Sequence, residues 1–202
     1  MLLAFDTSSA ACTAALFDGD QCVAHSDELI GRGHSERLVP MIAELLDGRS
    51  ADRIVVGVGP GSFTGIRVAI AAAHGMAIGW NAPLHGMSSL ALLAAGARSD
   101  GEVAVAIAGG HGELFVQQFD AMTAEPASEL RNLVPAEAAK FATAPLVIGS
   151  GAGPLVEVRG HGEAREAWPS AADALKLPQA LRSLAAKPVY ARAPDARVKE
   201  AA

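Results

Sequence analysis

Aromatic residues are scarce, 4% of a 202-residue chain. A surface that stacks nucleobases on successive rings is therefore disfavoured. Basic residues are also in deficit, 16 Lys and Arg against 22 Asp and Glu, for a formal net charge of −6. That excludes a broad electrostatic footprint on nucleic acid, so any role with RNA has to come through a partner. No Cys-x-x-Cys occurs. Among His25, His34, His74, His85, His111 and His161, no His-x-x-x-His pair places two imidazoles on one helix face. No residue set therefore stands out as metal-ligating or catalytic. No apolar run reaches about 18 residues without polar interruption, and no membrane span is expected. Met1 leads straight into an apolar run with no basic segment, so no signal peptide is expected.

Half of the residues are apolar, mostly Ala, Leu and Val, enough for one large domain or two small ones. Residues 2–5, 11–17 and 21–26 read as strands, with Asp18-Gly19 as the turn of a hairpin. If Phe17 pairs with Gln21, Cys22 faces Leu16 and Cys12 faces Ser26. The two thiols are then too far out of register to bridge. Free thiols fit a cytoplasmic location. Ser35 is expected to cap a helix over 35–47, with Pro40 near its first turn. A fourth strand, 54–58, then lies parallel to a neighbour after a helical crossover. Helices are expected over 65–77 and 88–97.

Arg98-Ser99-Asp100-Gly101 is a polar break, dividing a first subdomain, 1–100, from a smaller one, 101–202, whose last segment packs back on the first. Residues 103–107, 114–119 and 145–148 read as strands and 135–141 as a helix. Residues 149–153 read as a flexible turn, and 171–186 as helical. The second half echoes the first, which suggests a duplicated α/β architecture.

The most informative string is Gly59-Pro60-Gly61-Ser62-Phe63-Thr64-Gly65-Ile66-Arg67, between an apolar strand and an Ala-rich helix. Strand, Gly-rich turn and helix N-terminus in that order can surround an anion with backbone N–H groups. The string is not a P-loop, because the Gly61–Gly65 spacing is short and no Lys follows. Arg67, in the first turn, opposes the helix dipole, which suggests a specific partner, an acidic residue or a phosphate at the subunit junction, with a solvated arginine as the alternative. Asp6-Thr7-Ser8 ends the first strand, making Asp6 and Ser8 candidate nucleotide contacts, with a plain structural turn as the alternative. His111, in a Gly-rich loop with no nucleophile beside it, reads as a solvated histidine.

Together with Leu3-Ala4-Phe5-Asp6-Thr7-Ser8, Gly33-His34-Ser35-Glu36-Arg37-Leu38-Val39-Pro40 and Pro188-Val189-Tyr190-Ala191-Arg192-Ala193-Pro194-Asp195-Ala196, that string resembles the bacterial TsaB family over nearly the whole chain. The resemblance implies an actin-like, sugar-kinase and Hsp70-type ATPase fold built from two ribonuclease H-like α/β halves. It implies a non-catalytic scaffold, a degenerate paralogue of the catalytic subunit TsaD. In that family the subunit pairs with TsaD, an ATPase, TsaE, joins, and N6-threonylcarbamoyladenosine is made at position 37 of tRNAs reading codons that begin with A. It further implies no cofactor of the chain's own, with ATP or ADP bound at the subunit junction. The two first-half helices are then expected to form a bundle with the partner through Leu38, Met41, Ile42, Leu45, Ile66, Ala69, Ile70 and Ala73. The same surface would support a homodimer in isolation. The chain departs from the family where an Asp-Ala-Arg-type stretch is replaced by Ala108-Gly109-Gly110-His111-Gly112-Glu113. Two other functions compete with the scaffold: a metal-dependent peptidase-like hydrolase and a stand-alone ATP-binding switch.

Overall fold

The computed structural model describes residues 1–191, so the 188–196 motif lies within the described residues only as far as Ala191. Strands β1 (Leu2–Asp6), β2 (Ala11–Asp18) and β3 (Gln21–Leu29) form an antiparallel meander. Helix α1 (His34–Leu46) carries the chain to β4 (Arg53–Gly57), which pairs with β1 in parallel. Helix α2 (Phe63–Trp80) leads to β5 (Leu84–Met87), parallel to β4, and helix α3 (Ser89–Ala95) follows. The sheet order is β3-β2-β1-β4-β5.

The second half repeats this plan. Strands β6 (Glu102–Ala108), β7 (Leu114–Asp120) and β8 (Arg131–Leu133) form a second antiparallel meander. Helix α4 (Pro135–Phe141) precedes β9 (Leu146–Ile148), and helix α5 (Ala152–Arg159) precedes β10 (Glu163–Arg165). Both late strands are parallel additions, giving the order β10-β9-β6-β7-β8. In each sheet the third, second, first, fourth and fifth strands of the half lie side by side in that order. Two such halves make the actin-like, ribonuclease H-like architecture.

Alternation along the strands builds the layers. Leu3 and Phe5 of β1 face α1 and α2, while Leu2 and Ala4 face the opposite way. That second face packs on α3, whose residues 89–94 are all buried, and on Val103, Val105 and Phe119 of the second sheet. Helices α4 and α5 cover the far face of the second sheet. After β10 the chain returns to the first half. A 3-10 stretch (Ala171–Lys176) and the one-turn helix α6 (Gln179–Arg182) lead to Leu184, which exchanges backbone hydrogen bonds with Gly86. No described helix is long and apolar enough to cross a membrane.

Several expectations need correction. A bulge between Leu16 and Phe17 shifts the hairpin, so Phe17 pairs with Cys22 and Cys12 with Glu28. Both cysteines are free, and burial pushes the Cys12 thiol up to about 11. Helix α1 starts at His34, capped by Gly33 in the left-handed region, so Ser35 is not its cap. Pro40 consequently lies beyond the first turn, where its missing N–H leaves the Glu36 carbonyl without a helical donor. Helix α2 begins two residues earlier than expected and runs three further. The turn expected over 149–153 contains the start of α5, with Gly151 at its cap. The helix expected over 171–186 is broken at Leu177-Pro178, since proline disfavours a helical residue before it.

One surface network fixes α1 to the sheet. The Arg37 guanidinium donates to both carboxylate oxygens of Glu28 on β3 and to both of Glu44, two turns further on the same face of α1. Hydrogen bonds from Arg37 hold both glutamates below their ordinary value of 4.5. For a carboxylate lowered on folding, the stabilisation is present above the unfolded value and fades as pH falls through the folded one. The melting-temperature gap between wild type and Arg37→Ala should therefore be widest above pH 4.5 and close in stronger acid. Thermal melts across that range test it; a gap that ignores pH would assign the role of Arg37 to packing alone.

Candidate functional site

The Asp6-Thr7-Ser8 turn and the loop over 59–65 are locked together. The buried Asp6 carboxylate accepts from the Ser8 amide and hydroxyl, both at 2.7 Å, and from the Ser89 hydroxyl at 2.5 Å. Ser89 in turn accepts from the Gly59 amide. The Thr7 hydroxyl donates to the Gly65 carbonyl, and the Ser62 amide to the Ser8 carbonyl. Contact is so close that a Cβ on Gly61 would overlap the Ser8 carbonyl oxygen, and one on Gly65 the Thr7 carbonyl oxygen. Gly61 also has φ +155. The glycines therefore let two backbones meet, and the Ser62 hydroxyl caps α2 by accepting from the Gly65 amide.

Above this lock lies a cleft of about 1050 Å³ between the two halves. The first half contributes Ser8, Arg32, His34, Phe63 and Arg67, and the second contributes Ile107, His111, Phe115 and Ser150. Trp168, on the crossing from β10 back to the first half, closes one side, and residues 189–191 form another wall. Among the described residues no Asp or Glu lines it. Two guanidiniums without carboxylates suit an oxyanion, not a divalent cation. Among the described residues no three of His, Cys, Asp and Glu converge to hold a metal ion.

The expected phosphate contacts separate here. Ser8 and Arg67 line the cleft, while Asp6 lies beneath it with three donors already on its carboxylate. A magnesium-bound triphosphate does not fit the donor set of the described residues, among which no cleft carboxylate is present to hold the metal. Phosphate oxygens alone would find Arg32 and Arg67. Arg67 falls in the second turn of α2, not the first, and its guanidinium lies 3.4 Å from the Phe63 ring centroid. Its Nε donates to the Tyr190 hydroxyl at 3.1 Å, and Tyr190 and Phe63 stack with centroids 5.5 Å apart. Among the described residues the neighbours of Arg67 are therefore the aromatic rings of Phe63 and Tyr190. His111 lies in a 3-10 turn at the cleft with φ 61. The roles of Phe63, Tyr190 and Trp168 were missed in the sequence; only the i, i+4 spacing of Phe63 and Arg67 hinted at their contact.

The expected partner surface is also revised. Leu38, Met41, Ile42, Ile66, Ala69, Ile70 and Ala73 are buried against the first sheet, and Leu45 is half-buried beside them. A five-stranded sheet with apolar β1, β2 and β4 residues on this face needs that cover, so these side chains are the chain's own core. The outward face of α2 carries Phe63, Arg67, Ala71, His74 and Ile78, and that of α1 carries Val39.

Comparison with known proteins agrees with this architecture. Residues 26–148 match the family model described as "TsaD: tRNA N6-adenosine threonylcarbamoyltransferase". The chain is 38% identical over 126 residues to the tRNA threonylcarbamoyladenosine biosynthesis protein TsaB of Escherichia coli. That alignment takes in 58% of this chain and 54% of the relative, so the chain spans about half the length of the curated relatives it matches. A Pseudomonas aeruginosa protein described as uncharacterized with similarity to the peptidase YeaZ superposes with TM-score 0.80 at 31% identity, covering 95% of this chain and 99% of the other. Pseudomonas aeruginosa YeaZ itself superposes with TM-score 0.78 at 30% identity, covering 94% and 98%. With its signature motifs forming the lock beneath the cleft and its whole described fold shared with these relatives, the chain belongs to the TsaB family.

Proposed function

We propose that this chain is a non-catalytic subunit in the formation of N6-threonylcarbamoyladenosine at position 37 of tRNAs reading codons that begin with A. It acts in the cytoplasm by pairing with a TsaD-type catalytic subunit, which a TsaE-type ATPase then joins. The observation that carries this reading is the state of Asp6 and the cleft. In an ATPase of this fold the acidic residue ending the first strand serves the metal-bound phosphate; here Asp6 is buried and its carboxylate already accepts three hydrogen bonds from Ser8 and Ser89. Among the described residues the cleft offers no carboxylate in its place. The outward faces of α1 and α2 are the partner surface, and Val39, Phe63 and Ile78 supply its exposed apolar residues. In isolation the same surface supports a homodimer. Any ATP or ADP binds at the subunit junction, and tRNA is reached through the partner, in keeping with the net charge of −6.

Size-exclusion chromatography with light scattering tests this on an equimolar mixture with the TsaD-type subunit of the same organism. A one-to-one complex is expected. Two separate peaks, with ATP and magnesium present, would overturn the reading.

A further inference from the structure

Arg67 is an exposed residue held in one orientation by aromatic side chains. Phe63, one turn before it on α2, lies under the guanidinium plane. Tyr190, from the far end of the described chain, takes the Nε hydrogen bond and stacks on Phe63. Among the described residues no carboxylate takes the two terminal nitrogens of Arg67, which hydrogen-bonds through Nε. Arg37 makes the contrast plain, its fork filled by Glu28 and Glu44. A guanidinium whose Nε is occupied and whose face lies on an aromatic ring keeps its terminal N–H pair for one bidentate oxyanion. Rotamer freedom that binding would otherwise remove is already restricted, which raises the gain from each hydrogen bond.

We propose that Arg67, clamped by Phe63 and Tyr190, is the anchor for one acidic side chain of the partner subunit. The inference rests on the proposed TsaD-type partner and names the chemistry of that contact. Position favours a protein carboxylate as the source. Phe63, Arg67, Ala71, His74 and Ile78 follow one another at helical spacing along the exposed face of α2, so Arg67 is continuous with the docking stripe. The neighbouring cleft wall brings Arg32 and, among the described residues, no acidic group, so this surface repels basic side chains and draws acidic ones. An aromatic frame excludes water around the pair once a partner closes over it, and interface hot spots have that character.

Tyr190 is the only tyrosine in the chain, so 3-fluorotyrosine labelling yields a single 19F resonance reporting on the clamp. The labelled full chain is titrated in turn with the TsaD-type subunit, with inorganic phosphate and with magnesium ATP. Affinity for the subunit is measured in parallel for wild type, Arg67→Lys and Arg67→Ala. The subunit should move the resonance. Both variants should bind it roughly 30-fold or more weakly, because lysine keeps the charge but lacks the fork. Their melting temperatures should match wild type, since the side chain is exposed. Variants that bind as wild type does would overturn the anchor while leaving the complex, and so the proposed function, in place. Phosphate or ATP saturating the shift at submillimolar concentration in the isolated chain would overturn it in favour of a phosphate ligand. Failure of the wild type to bind the subunit at all would remove both the proposed function and the anchor.

Discussion

An Ala69→Asp substitution is expected to unfold the isolated chain, while Ile78→Asp leaves it folded and removes the complex with the TsaD-type subunit. The two positions lie on opposite faces of α2. Ala69 is fully buried, among Ile66, Ile70 and Ala73 against the first sheet. A carboxylate there has no partner, and an uncompensated buried charge costs about 3–5 kcal/mol. That is a large fraction of the roughly 5–15 kcal/mol that separates folded from unfolded domains. Ile78 is 83% exposed, so an aspartate in its place meets only water in the free chain. In the complex it would sit within an apolar contact, and losing such an anchor weakens binding by roughly 2 kcal/mol or more. Circular dichroism melts and light scattering of the mixture separate the two effects. Wild-type melting of Ala69→Asp would move that face of α2 to the surface. Full binding by Ile78→Asp would move the partner elsewhere.

Gly65→Ala should destabilise the chain by about 3 kcal/mol or more, the range of forced overlaps in a packed interior. For a chain of this size that lowers the melting temperature by roughly 6–12 °C. The sign is the informative part. Alanine normally stabilises a helix interior over glycine by roughly 1 kcal/mol. At Gly75, further along α2 and with open space where a Cβ would be, that ordinary gain is expected. At Gly65 the new methyl meets the Thr7 carbonyl oxygen, which is backbone and cannot turn aside. The displaced turn would also loosen the Thr7 hydroxyl from the Gly65 carbonyl and disturb Asp6. If both alanine variants gain stability, the lock between the two loops is not as close as described.

Much of the fold was legible because its signals are local. The meander of the first half follows from apolar runs joined at Asp18-Gly19, and the parallel placement of β4 from the length of the crossover. What escaped notice was short or masked by breakers. β5 has only four residues with a glycine among them, and β10 is wholly exposed. The start of α5 lies in Gly151-Ala152-Gly153-Pro154, which reads as a turn although proline is tolerated in a first helical turn. The bulge in the β2–β3 hairpin has no single-residue signature, so the register of Cys12 and Cys22 slipped.

By itself the sequence determined the longer elements, the duplicated plan and the family, since periodicity, turn residues and a nine-residue signature are properties of neighbours along the chain. Only the tertiary structure decided which side of α2 is core and which is surface. Both sides carry small or apolar residues, and the choice belongs to the sheet that must be covered. The same holds for Asp6 and Arg67. Ser89, which donates to one, and Tyr190, which clamps the other, lie 83 and 123 residues away along the chain, and contacts at that separation exist only once the chain has folded.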